Sequence, residues 1–182
     1  MVMKKSILII SALLMVSVCW GKNTQAPSTN AVVTDPSDVK KEIVTLIHEL
    51  YSTIAKKEDV SIDERFACHA WRNMVAAVNE KDKEVEEIGF FNDDYWTMMQ
   101  DGIPDDLEAR DIEFEQLDVE KGTAMVSYIL YSSVQTIHQK FAFCREDGEW
   151  RVHDIIRFYT NADGQEEANS LMEAMQNYLN EE

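Results

Sequence analysis

Basic residues are scarce. Against 34 aspartates and glutamates, the 182-residue chain has only 17 lysines and arginines, for a formal charge of −17 at neutral pH. So acidic a surface excludes nucleic acid as a partner, because phosphates demand a basic footprint. It equally excludes electrostatic docking on anionic lipid. Cysteine is also scarce, with Cys19, Cys68 and Cys144 alone and no Cys-x-x-Cys pair. Neither a nucleophile elbow nor a phosphate-cradling glycine loop occurs. The four histidines (His48, His69, His138 and His153) share no metal-ligand spacing. No metal and no cofactor is therefore expected, and the acid reads as a solvated surface.

The one long apolar run lies at the start. Lys4 and Lys5 precede the apolar stretch Ile7 to Val18, and Cys19-Trp20-Gly21 follows it. That is the layout of a signal peptide over residues 1–21, too short for a transmembrane helix of roughly 20 apolar residues. Two exits fit: acylation of Cys19, giving a lipid-anchored protein, or ordinary cleavage after Gly21. Val18 is a poor residue to precede an acylated cysteine. Either exit makes the protein exported, in the periplasm or envelope of a Gram-negative bacterium. Loss of Lys4 and Lys5 moves the formal charge from −17 to −19.

Residues 22–34 are polar and read as a flexible tether. Residues 35–182 make a single domain. Asp35 as N-cap and Pro36 at the first helical position open a helix carrying Val39, Ile43, Leu46, Ile47, Leu50, Tyr51 and Ile54 on one side, to about Lys57. The capping box Ser61-Ile62-Asp63-Glu64 opens a second helix with a stripe of Phe66, Ala67, Ala70, Trp71, Met74, Ala77 and Val78. The segment 88–107 is irregular and aromatic, and Asn92 or Asp93 caps a short helix within it. Strands follow over 109–119 (with a bulge), 124–133, 134–145 and 148–158, linked by short turns as an antiparallel meander. Asp163-Gly164-Gln165-Glu166 begins a closing helix with Leu171, Met175, Tyr178 and Leu179 on one side. The expected fold class is α+β: a curved antiparallel sheet of about four strands against N-terminal helices, with a C-terminal helix.

The last strand carries the sharpest feature. Alternation puts Trp150, Val152, Ile156 and Phe158 on one face with Asp154 in line among them, while Arg151, His153, Ile155 and Arg157 take the other. A carboxylate among apolar neighbours is costly unless it is paired. It either serves a ligand or base role or hydrogen-bonds a helix backbone or a basic partner, unless a bulge turns it outward. Asp93, Asp94 and Asp101 line a pocket mouth with Tyr95 and Trp96, or cap the short helix. Cys68 lies off its helix stripe and Cys144 opposite Phe141 and Phe143, so the two fall on different outer surfaces and a disulfide is disfavoured.

The helix-helix-meander order and the strand Glu149-Trp150-Arg151-Val152-x-Asp154-Ile155 resemble the cystatin-like or nuclear-transport-factor-2-like superfold. More narrowly, the segment Tyr95 to Asp101, that strand and the terminal helix are similar to an exported bacterial family, the DUF3828 type. The resemblance covers roughly Val39 to Leu179 and carries no activity, because the superfold hosts enzymes, binders and scaffolds alike. The first expectation is a non-enzymatic binding module that takes a small molecule or a protein through the concave sheet and the segment 88–107, with Asp154, Trp150, Tyr128, Tyr95, Trp96 and Asp101 as ligand contacts. An alternative is an isomerase- or dehydratase-like enzyme using Asp154 with Tyr128. A third is an envelope or immunity-type interaction protein acting through its acidic surface.

Overall fold

Asp35 opens the first helix as expected: its side chain accepts from Ser37 N at 2.8 Å and Pro36 occupies the first turn. The computed structural model describes residues 35–84, 89–100, 102–161 and 163–181. The signal peptide, the tether, Cys19 and Asp101 lie outside them. Helix α1 spans Pro36–Ala55, and Val39, Ile43, Ile47, Leu50 and Ile54 on its apolar stripe are all buried.

The second helix departs from expectation. The Ser61 N-cap holds, its hydroxyl accepting from Glu64 N, but α2 covers only Ile62–Phe66. The chain then runs extended through Ala67 and Cys68, and α3 resumes at His69–Asp82. The interruption has a physical reason: Ala67 forms a parallel bridge to Val152, and Cys68 N donates to Val152 O at 2.9 Å. A sheet edge takes the backbone bonds that a continuous helix would have kept. The buried stripe shifts accordingly, to Trp71, Val75 and Val78, while Ala70 and Ala77 face solvent.

Strands β1 (Glu108–Asp118), β2 (Thr123–Tyr131), β3 (Thr136–Glu146), β4 (Glu149–Thr160) and β5 (Glu166–Ser170) form one antiparallel sheet in sequence order. Four were expected. The fifth uses Glu166–Ser170, read from sequence as the start of the last helix, and α4 begins only at Leu171 and runs to Asn180. The β1 bulge is present, with register shifts between Arg110 and Glu113 and between Phe114 and Gln116. Two tight turns rest on positive φ: Asp147 and Gly148 at 53° and 87° join β3 to β4, and Gly122 sits at 65° before β2. At Gly122 a Cβ would lie 2.7 Å from Arg145 Cβ, so glycine is required there.

One face of the sheet packs on the helices. Val126, Tyr128, Leu130, Phe141, Phe143, Trp150, Val152 and Ile155 meet the α1 stripe, Phe66, Trp71 and Met175 in a single core. No helix among the described residues is long and apolar enough to cross a membrane.

Candidate functional site

The expected concave pocket is filled. Trp150 and Tyr128 are each 1 % exposed and Trp96 is buried. The Tyr51 and Tyr128 hydroxyls lie 2.6 Å apart, and Tyr128 donates to Gln139 Oε1 at 2.9 Å. Tyr51 also reaches the Trp96 carbonyl at 3.1 Å. Burial pushes both phenols well above the ordinary tyrosine range, so neither exchanges a proton near neutral pH. Tyr95 is half-buried and donates to Asp63, which also accepts from Trp96 Nε1 at 3.0 Å. Burial, and then the Asp63 charge, raise the Tyr95 phenol as well. Segment 89–100 therefore serves as core cover tied to α2. Its short helix is absent, replaced by turns with an Asp94–Met99 bridge. Asp94 Oδ1 accepts from Thr97 N and Oγ1, both at 2.8 Å, and Asp93 pairs with Arg157 at 3.1 Å.

Asp154 is not on that face. Phe143 pairs with Val152 but Phe141 pairs with Ile155, so β4 has one residue more than β3 in this interval. The bulge reverses the alternation beyond it. Ile155 joins the core, whereas Ile156 stands opposite Lys140 and Phe158 stacks on His138. Asp154 is left half-buried where β5 gives way to α4. Its Oδ1 accepts from Met172 N at 3.0 Å and its Oδ2 from Ser170 Oγ at 2.6 Å, while Ser170 Oγ caps α4 through Glu173 N. The placement of Asp154 with Trp150 and Val152 is therefore corrected: it anchors the N-terminus of α4.

The same bulge assembles a cluster that the sequence reading dismissed. His153 is the inserted residue, next to Val152, whose carbonyl holds Cys68 N. Cys68 Sγ and His153 Nδ1 lie 3.5 Å apart. Cys144, opposite Arg151 on β3, completes the group: the thiol and imidazole atoms of Cys68, Cys144 and His153 all fall within 4.8 Å of one another. The expectation that the two cysteines occupy separate surfaces is overturned. It failed because the break between α2 and α3 carries Cys68 onto the edge of β4. Both thiols are free.

The electrostatics are those of a thiol–imidazole pair. Burial alone would raise the Cys68 thiol, but the His153 hydrogen bond, the Trp71 N–H and the His153 charge outweigh it and hold it below the ordinary value. The Cys68 hydrogen bond raises His153 above the usual imidazole range, against the effect of burial. Burial and then the neighbouring Cys68 push Cys144 up to about 12. Beside the cluster a cleft of about 440 Å³ opens over β1–β4, with Cys144, His153, Ala142, Met125, Thr123 and Lys121 among its walls. Cys68 lies behind Cys144 and His153, only 1 % exposed. A buried thiol is poorly placed to attack a substrate, whereas the three donors together are well placed to hold one.

Half of this site was legible. Cys144 and His153 lie on the same outer side of strands joined by the Glu146-Asp147-Gly148 hairpin, so alternation alone makes them neighbours. Nothing local signals where Cys68 goes. The chain is thus an α+β protein built on an open five-stranded antiparallel meander, with a thiol–imidazole cleft beside β1–β4. Compared with protein-family models, curated proteins and solved structures, it matches none.

Proposed function

We propose that the protein is an exported, non-enzymatic binding module of the cystatin-like or nuclear-transport-factor-2-like superfold, whose ligand enters the cleft walled by Cys144 and His153. The observation carrying this reading is the contrast between the two faces of the sheet: Tyr128, Trp150 and Trp96 fill the helix-covered one, and on the other a cleft of about 440 Å³ opens beside the Cys144 and His153 donors. Export rests on the charged and apolar layout of residues 1–21. The superfold is supported by three N-terminal helices, α1 to α3, preceding an antiparallel meander.

The enzymatic alternative finds less support. Asp154 and Tyr128 do not share a pocket, and the Asp154 oxygens are engaged with Ser170 and Met172. An interaction protein docking through an aromatic surface, rather than through its acidic one, would need a contiguous apolar patch. Among the described residues the exposed large apolar side chains are Val60, Val134 and Tyr159, which are scattered.

Native mass spectrometry of the full chain isolated from its source cells tests the reading. A non-covalent adduct should be retained by the wild type and absent from Ala142→Trp, which fills the cleft. No adduct, or one that survives Ala142→Trp, would refute it.

A further inference from the structure

We propose that Cys68, Cys144 and His153 form a three-donor site for one thiophilic d¹⁰ cation, zinc(II) or copper(I), with its remaining coordination position open to the cleft. This rests on the reading above and names its ligand class.

Three observations carry it. First, both cysteines among the described residues, remote in sequence, converge on one histidine. They come from different elements: the α2–α3 junction, β3 and the β4 bulge. Second, the spacing suits coordination. Bond lengths of about 2.3 Å to sulfur and 2.0–2.1 Å to nitrogen give a tetrahedral S···N edge of roughly 3.5 Å and an S···S edge of roughly 3.8 Å. Cys68 Sγ and His153 Nδ1 are 3.5 Å apart, and the group as a whole lies within 4.8 Å, so a small inward movement of Cys144 closes the set. Third, the donors are pre-positioned by backbone rather than by surface side chains. Cys68 N bonds Val152 O at 2.9 Å, locking Cys68 beside His153, and bulges commonly serve to re-aim a side chain in this way.

Donor softness sets the cation class. Two thiolates and an imidazole favour zinc or copper(I) over magnesium or calcium, which take oxygen. On binding, Cys68 and Cys144 each lose the thiol proton to solvent, His153 ligates through Nδ1 as the neutral ring, and no electron is transferred. A three-ligand S₂N set leaves zinc an open fourth site for water or a small ligand, and the cleft lies beside it. Copper(I) would be satisfied by the three donors alone.

The test uses the reduced full chain. After incubation with zinc(II), or with copper(I) under anaerobic conditions, and desalting, elemental analysis should find one ion per chain. Cobalt(II) should give the thiolate charge-transfer band and the visible spectrum of a tetrahedral site. Cys144→Ser and His153→Gln should each weaken retention by more than the roughly 10–100-fold that loss of an outer-shell partner costs. His69→Gln, one residue from Cys68, should leave it unchanged and so serves as the folded control. Because the donors meet only in the folded chain, zinc should also raise the thermal midpoint of the wild type and not of His153→Gln. A stoichiometry of zero, a cobalt spectrum without the thiolate band, or retention indifferent to both ligand variants would overturn the site. So would a Cys68–Cys144 disulfide in the protein from its source cells. If a retained organic adduct accompanies any of those results, the binding reading survives and only the cation falls; if nothing is retained, both fall.

Discussion

At the scale of single residues, Asp154 and His153 exchange the roles their neighbours suggest. Asp154 reads as a costly carboxylate on an apolar face, yet it receives Met172 N and Ser170 Oγ at the N-terminus of α4, where a negative charge also meets the favourable end of the helix dipole. Asp154→Ala should destabilise the fold by about 1–3 kcal/mol, by removing a charged acceptor from half-buried donors. Asp154→Asn, which retains one acceptor, should lose less. Urea denaturation of the three proteins orders them, and equal midpoints would refute the anchoring role. Of the three outcomes open to Asp154 besides ligand or base chemistry, a helix-backbone partner and a bulge both occur, whereas the carboxylate is held by Met172 N and Ser170 Oγ and not by Arg72 or another base. His153 is the bulge residue itself, and that placement is what turns it toward Cys68.

At the scale of elements, what was legible is what local chemistry decides. The Asp35–Pro36 cap, the Ser61 N-cap, the short turns of the meander and the α1 stripe all follow from adjacent residues and are present. Three features do not. The break at Ala67–Cys68 is made by a long-range pairing with Val152 and has no breaker residue to announce it. Strand β5 is the polar sequence Glu166-Glu167-Ala168-Asn169-Ser170, exposed nearly throughout, with neither alternation nor β-branched residues. Only its pairing with Ile156–Thr160 defines it. The β4 bulge lies inside a run that alternates well enough to read as regular, so unbroken alternation puts every side chain after His153 on the wrong face. The Cys68–Cys144–His153 cluster depends on the first and third of these, which is why it is not legible as a unit even though alternation puts Cys144 and His153 on one face.

At the scale of the whole molecule, the core is tied together by buried tyrosines. Tyr51 on α1 and Tyr128 on β2 share their hydroxyls with each other and with Gln139 on β3, bridging helix and sheet. Desolvation raises both phenols in the folded state above the value near 10 they have when unfolded. The unfolded chain therefore sheds these protons first. Stability that is complete below about pH 10 should fall above it, by up to about 1.4 kcal/mol per pH unit for each phenol, until unfolding releases both. Chemical denaturation at rising pH, followed beside tyrosinate absorbance, measures this. Titration of all the tyrosines in a chain that is still folded would contradict it. The same packing fills the helix-covered face with Tyr128, Trp150 and Trp96, while the cleft over β1–β4 stays open beside Cys144 and His153.

X-ray absorption on the reduced full chain loaded with one equivalent of zinc probes that site most directly. Two sulfur neighbours at about 2.3 Å with one imidazole nitrogen at about 2.0–2.1 Å are expected, the sulfur shell falling to one in Cys144→Ser. A first shell of oxygen and nitrogen alone would contradict the placement of ligand binding at Cys68, Cys144 and His153.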